Sequence, residues 1–448
     1  MFIDRTSLLN NNPVQLNYGA AVTDFDDDGE FEIIVAGFGA PNLVLKWNGR
    51  AFVDVADDIL ADPQRQAIGI AAGDINGDGR EEIYILNTDT FAGAKQFGDR
   101  LFLFRGRIWV DLFALPDNRS ALNLTAGRSV ICVDRMGTGR YGFFVANYGG
   151  PLCFYELKSD GLLYDIATDI GVDLTTGGRS LVALPLVSEH IDVFAGNEHG
   201  PNFLFVNQGD GTFAERASDY ALQDALDSGQ AGQFALVYGN WEGSHRLFMP
   251  GPRGMFRDIA PTAMANPSRI RTVIVADFDN DGYEEIFFNN LGQPNRLFAW
   301  RDEQWTQVDI GDAAEPDGMG TGAVIGDFDG DGRLELLISH GESAMQRLSY
   351  YHVGERTGDW LRVLPLTADG APARGAVVLL HQSDRVQSRV IDNGSGYLCQ
   401  MEPVAHFGLG DHADDVQRVE IRWPDGVHHV IESPDTNHLH RVAHPESS

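Results

Sequence analysis

The strongest constraint on this chain is a nine-residue acidic pattern that returns in register: DFDDDGEFE from Asp24, DINGDGREE from Asp74, DFDNDGYEE from Asp277 and DFDGDGRLE from Asp327. Asp24 to Asp74 and Asp277 to Asp327 are both steps of 50 residues. A small apolar run precedes each copy. After it comes IIVAG, IYILN, IFFNN or LLISH, whose β-branched and aromatic residues favour strand over helix. Next stand Asn42-Leu43-Val44, Arg100-Leu101-Phe102 and Arg296-Leu297-Phe298, then segments such as AFVDVAD and MFRDIAP. The order is strand, acidic loop, strand, turn, strand, turn, strand: one four-stranded antiparallel unit per period.

Asp134, in VDRMGTGRYGFFVAN, marks a copy whose loop has lost most of its acids. From Asp134 to Asp277 is 143 residues, room for three steps, and two further degenerate copies fill it: SLVALPLVSEHIDVFAGNEHGPNFLFVNQGDGTF and FALVYGNWEGSHRLFMPGPRGMF. Seven repeats of this length predict an all-β fold, a seven-bladed propeller over residues 1–354, with a smaller β-rich domain over 355–448. A linear β-solenoid would need shorter, more uniform repeats. The seventh repeat passes through Gln346-Arg-Leu-Ser-Tyr-Tyr-His352 without an outer strand of its own. Phe2-Ile3-Asp4-Arg5-Thr6 resembles the outer strands of the other repeats, so residues 2–6 are expected to close the ring.

In each intact loop, side chains at positions 1, 3, 5 and 9 and the carbonyl of position 7 can converge on one ion, and the glycine at position 6 allows the sharp turn. Oxygen ligands at this density select calcium over magnesium, which keeps waters and demands strict octahedral geometry. The expected ligands are Asp24, Asp26, Asp28 and Glu32; Asp74, Asn76, Asp78 and Glu82; Asp277, Asp279, Asp281 and Glu285; and Asp327, Asp329, Asp331 and Glu335. Glu30, Arg80, Tyr283 and Arg333 would supply the carbonyls. One Asp-Gly-rich stretch would read as a plain hairpin turn, but four copies in register between strands do not. An EF-hand would need Glu at position 12, where Val35, Ile85, Phe288 and Ile338 stand.

These loops with their flanks resemble FG-GAP/VCBS repeats, those of integrin α-chain propellers. Trp360-Leu-Arg-Val, Arg374-Gly-Ala-Val-Val, Asn393-Gly-Ser-Gly-Tyr397, His406-Phe-Gly-Leu-Gly410 and Trp423-Pro-Asp-Gly426 resemble the ASPIC/UnbV domain that follows such propellers. Together they cover nearly the whole chain, which is similar to the cartilage acidic protein family. The resemblance implies calcium binding and protein interaction more firmly than any reaction. Repeats three to five lack intact loops, so about four calcium ions carry over.

The formal net charge of −32 sets phosphate-rich nucleic acid aside as a partner, and no run approaches the ~18 apolar residues of a membrane helix. A monomer is expected. The sequence leaves the ligand unnamed, whether protein, small molecule or glycan. Calcium loops favour an extracellular or periplasmic setting. Against that, Met1-Phe-Ile-Asp-Arg-Thr lacks a signal-peptide pattern, which favours the cytoplasm. Cys132, Cys153 and Cys399 suggest buried free thiols.

Gly137-Thr-Gly-Arg-Tyr-Gly142 fits a dinucleotide fingerprint, yet no βαβ unit follows, so it reads as a decayed metal loop. His428, His429, His438, His440 and His444 read as a solvated tail, and the sequons at Asn118, Asn123 and Asn393 decide nothing. No nucleophile elbow or catalytic zinc spacing occurs. Two functions stay in view: a calcium-stabilised interaction module, and an enzyme of bacterial secondary metabolism with a pocket in the propeller channel or against the C-terminal domain. For the second, His340 and His406 are the residues to test.

Overall fold

The small apolar runs ahead of the acidic loops become the innermost strands of a ring. A computed structural model describes residues 1–447 apart from 107, 199, 224–233, 355–357 and 384. In it, Asn17–Thr23, Ala67–Gly73, Gly127–Val133 and Thr175–Leu184 pack side by side, as do Ile270–Ala276 and Gly320–Gly326, and the last packs against the first. Glycine and alanine at these positions let six strands crowd round one axis. Outward from each, consecutive strands pair antiparallel: Glu32–Gly37, Leu43–Trp47 and Phe52–Asp54 in the first repeat, and Glu82–Asn87, Arg100–Arg105 and Ile108–Asp111 in the second. The fold is an all-β propeller with a further β domain at its C-terminal end. The fifth repeat contributes Leu236–Tyr238, Arg246–Pro250 and Phe256–Asp258; the residues where its innermost strand is expected include 224–233, outside the described set.

Phe2–Asp4 pairs antiparallel with Ser349–Val353, Phe2 opposite Val353 and Asp4 opposite Tyr351, as the outermost strand of the seventh sheet. Phe2 is buried and meets Phe278 edge to face at 5.0 Å.

Beyond Val353 the chain builds two sheets: Ala405–Gly410, Asp359–Pro365 and Leu439–Val442, and Val386–Val390, Val377–Gln382, Val416–Arg422 and His428–Glu432. Leu361, Val378, Leu380, Phe407, Val419 and Trp423 form their shared core. The histidine tail is therefore not simply solvated. Leu439–Val442 lies parallel to Asp359–Pro365, and His444 is buried against the Trp423 ring, 3.0 Å from Asp425. A strand edge needed a partner, and the tail supplied one.

The segment 392–402 of this domain enters the propeller axis. Gln400 exchanges backbone hydrogen bonds with Ala20 and Val22 at 2.9 and 3.0 Å. Its amide also takes up both backbone groups of Ala72, at 2.7 and 2.9 Å. Asn393 accepts from Cys132 N–H at 3.0 Å and donates to the Ala183 carbonyl at 3.1 Å. An innermost strand has an unpaired edge facing the channel, and this segment bonds to five of them, Glu402 N–H donating to the Ile325 carbonyl of the seventh repeat at 3.3 Å. A Cβ at Gly19 would collide with the Leu398 carbonyl, so glycine is required for that approach.

Candidate metal centres

Each acidic loop follows an innermost strand and is held by its own backbone. The position-1 carboxylate accepts from the N–H of the position-6 glycine: Asp24 from Gly29 and Asp74 from Gly79 at 2.9 Å, Asp277 from Gly282 at 2.8 Å and Asp327 from Gly332 at 3.0 Å. One oxygen of the position-9 glutamate accepts from the position-2 N–H, at 2.9 to 3.0 Å in all four loops. Position 5 accepts from the N–H of position 7, that is from Glu30, Arg80, Tyr283 and Arg333. In the third and fourth loops these bonds leave one position-1 oxygen for the loop centre, whereas Asp24 and Asp74 spend both oxygens on backbone N–H groups, those of Asp28 and Gly29 and those of Gly77, Asp78 and Gly79.

Several of the remaining oxygens have no partner in this structure: Asp277 Oδ1, Asp327 Oδ1, Glu335 Oε1 and Asn76 Oδ1 are all buried and unpaired. In the first loop Asp24, Asp26 and Glu32 bring oxygens within 4.8 Å of one another; so do Asp277, Asp279 and Glu285 in the third, and Asp327, Asp329 and Asp331 in the fourth. Glu32, Glu82, Glu285 and Glu335 are fully buried. Burial pushes Glu32 and Asp277 up to about 7. It pushes Glu82 and Glu285 up to about 9, helped by the charge of Asp74 beside Glu82 and of Asp279 beside Glu285. Dry, mutually repelling carboxylates with spare oxygens are a donor set for a hard cation. Asn76 fits if its amide is turned, since Nδ2 now sits 2.9 Å from Asp78 and 3.0 Å from Glu82, where an ion would need Oδ1.

Three neighbours of these loops come from the third strand of the same sheet. Following the Ile33–Leu45 pair by one residue places Lys46 opposite Glu32, and the Leu336–Tyr351 pair places His352 opposite Glu335. Lys46 Nζ reaches Asp26 and Asp28 at 2.7 Å and Glu32 at 2.9 Å. His352 groups with Asp329 and Glu335, and its Nε2 has no partner. In the third loop, Arg301 reaches Asp279 and Asp281 at 2.7 Å. Lys46 and His352 escape a reading of the nine-residue loop, because only strand pairing brings them there. The decayed third-repeat loop keeps the bond from Gly139 N–H to Asp134 at 2.7 Å without the other acids.

The C-terminal domain sits on this face. Gly408 N–H donates to Asp277 Oδ2 at 3.1 Å, Arg362 pairs with Asp327 at 2.8 Å and also with Glu402, and Arg385 donates to the Gly282 carbonyl at 3.2 Å. Arg374, fully buried, pairs with Glu81 of the second loop at 2.5 Å and donates to the Val22 carbonyl at 2.9 Å. The two histidines singled out for catalysis serve the framework. His406 Nε2 bonds the Asn280 side chain at 2.7 Å, and His340 lies between the Arg347 carbonyl at 2.7 Å and Glu315 at 3.0 Å. A largely apolar cavity of about 570 Å³ lies between the fifth- and sixth-repeat sheets and Ser388–Val390.

A propeller of FG-GAP-like repeats joined to an ASPIC and UnbV domain is the class of protein this fold and these loops define. The FG-GAP-like repeat model matches residues 24–85 and 277–338, and the ASPIC and UnbV model matches 367–448. Cartilage acidic protein 1 of Xenopus tropicalis is 46% identical over 464 residues, spanning 93% of this chain and 71% of the relative. The human and mouse proteins of that name are each 45% identical, spanning 97% of this chain and 73% and 75% of theirs. The chain belongs to the cartilage acidic protein 1 family.

Proposed function

We propose that the chain is a calcium-stabilised binding module, with one ion in each of the four acidic loops and the propeller presenting the surface that meets a partner. The observation that carries this reading is the set of buried, unpaired oxygens, Asp277 Oδ1 in the third loop, Asp327 Oδ1 and Glu335 Oε1 in the fourth and Asn76 Oδ1 in the second, together with the converging acids of the first. Calcium there would neutralise acids that otherwise repel one another beneath the C-terminal domain, coupling metal loading to the seating of that domain. Glu30, Arg80, Tyr283 and Arg333 remain the proposed carbonyl ligands.

Native mass spectrometry with calcium, paired with melting curves in calcium and in chelator, tests the proposal. Four ions per chain and a large rise in melting temperature are expected, since a ligand bound only by the folded state at a hundredfold excess over Kd adds about 2.7 kcal/mol per site. Identical melting curves in chelator and in millimolar calcium would overturn it.

A further inference from the structure

At the end of the propeller away from the metal loops, every described innermost strand carries the same irregularity. Its pairing with the next strand slips by one residue, and the extra residues are Tyr18, Ile68, Arg128, Arg179, Arg271 and Thr321. A β-bulge re-aims a side chain, so one ring of bulged positions surrounds the channel mouth. In the first, second, third, sixth and seventh repeats the bulged residue stands six before position 1 of the loop, about 20 Å along the strand. Tyr397, from the segment that fills the channel, lies within this ring, 5.7 Å from Arg271.

Three of the six positions are arginine in a chain of net charge −32. Arg271 is held bidentate by Glu342 at 2.6 to 3.0 Å and stacks on Trp241 at 3.9 Å. Arg179 pairs with Glu198 and lies 5.1 Å over Tyr148. Arg128 is different: it is only 8% exposed, it makes no ion pair among the described residues, and its Nε has no hydrogen-bond partner. Its other end donates to the Phe91 carbonyl. Among the described residues two glutamates serve three arginines, and Arg128, whose guanidinium lies 5.0 Å over the Phe91 ring, has no acid of its own. The rim carries exposed aromatic rings, Phe91 at 61% beside Arg128 and Trp241 at 43% beside Arg271. Arginine, tyrosine and tryptophan around a buried charge are the residues that dominate protein–protein binding energy.

We propose that this channel mouth is a docking site for a partner protein that presents an aspartate or glutamate carboxylate to Arg128, flanked by apolar side chains that settle on Phe91 and Trp241. The inference rests on reading the chain as a binding module, and it is independent of the metal loops. A guanidinium offers a planar fork that pairs both carboxylate oxygens, which an amide cannot reproduce.

The test uses the full chain in calcium and fluorescent capped pentapeptides, Gly-Phe-X-Phe-Gly with X as Asp, Glu, Asn or Gln, followed by fluorescence polarisation. The acidic peptides are expected to bind about tenfold tighter than their amides, which corresponds to roughly 1.4 kcal/mol, and Arg128→Gln should erase that preference without changing the ion count. Phe91→Ala and Trp241→Ala, at exposed positions that leave folding intact, should weaken all four peptides together. Equal binding of acid and amide, or an acidic preference that survives Arg128→Gln, would overturn this site; in either case, peptide binding that persists leaves the broader module reading standing. If Arg128→Gln fails to fold, unchanged binding by the Phe91 and Trp241 variants overturns the site on its own.

Discussion

A lysine ammonium in a carboxylate cluster competes with whatever ion the cluster holds. Lys46 bonds three acids of the first loop, and the corresponding cross-strand positions of the second and third loops are Leu103 and Ala299. Arg301 likewise reaches three acids of the third loop, Asp279, Asp281 and Glu285, so the first and third loops are expected to bind calcium more weakly than the second. Lys46→Met should tighten the first loop by about tenfold or more, the worth of a charged hydrogen bond, as read by calcium titration calorimetry. Asp279→Ala should lower the ion count by one; an unchanged count would reject the ligand assignment. The pH dependence follows from the raised acids. In the ion-free protein Glu82 and Glu285 hold protons up to about 9, and Glu32 and Asp277 up to about 7, through burial. The unfolded chain releases those protons near 4, so between these values the folded form binds more protons than the unfolded one. Ion-free stability then falls as pH rises from about 4 through about 9. Calcium displaces the protons, so its effect on melting temperature should grow across that interval. Melting scans at pH 5, 7 and 9 check this, and a pH-independent calcium effect would count against it.

At the scale of elements, the first strand bears on stability out of proportion to its three residues. Phe2–Asp4 covers the outer edge of the seventh sheet, and Phe2 also receives a hydrogen bond route into the sixth-repeat side, donating its N–H to the Ile310 carbonyl at 3.0 Å. Phe2→Ala should cost about 3–5 kcal/mol, the usual range for a buried phenylalanine, as measured by denaturant unfolding. Deleting residues 1–6 should lower stability further and leave Ser349–Val353 as a free edge open to intermolecular pairing. Light scattering would detect the association; a deletion variant that melts like the intact chain and stays monomeric would contradict it.

For the whole molecule, the C-terminal domain and the propeller share packed cores. Leu398 packs in the core around Tyr84 and Tyr155, and Cys399 and Met401 pack in the core shared by the first, sixth and seventh repeats. Arg374 and Glu81 join the two parts with a pair cut off from water. Removing one member of such a pair strands the other charge, at about 3–5 kcal/mol. Arg374→Met should therefore destabilise the chain by that order, and adding Glu81→Leu should recover much of it. Calorimetry is the measurement: a single variant as stable as the parent would show that the pair does not hold the domains together.

The sequence by itself determined the repeat, the strand order within it and the acidic loops, because each is written in a few contiguous residues: nine for a loop, about five for a strand. Only the tertiary structure decided what those units enclose. Gln400 meets Ala20 and Ala72 across more than three hundred residues, Lys46 meets Glu32 through strand register, and Arg128, Arg179 and Arg271 become neighbours through a bulge repeated round a ring. The His-rich tail shows the same limit, since its polar composition reads as solvated while its backbone completes a sheet. Local chemistry fixes a loop or a strand, but the partner of an unpaired edge or an unneutralised charge is chosen by proximity in three dimensions, which spacing along the chain does not encode.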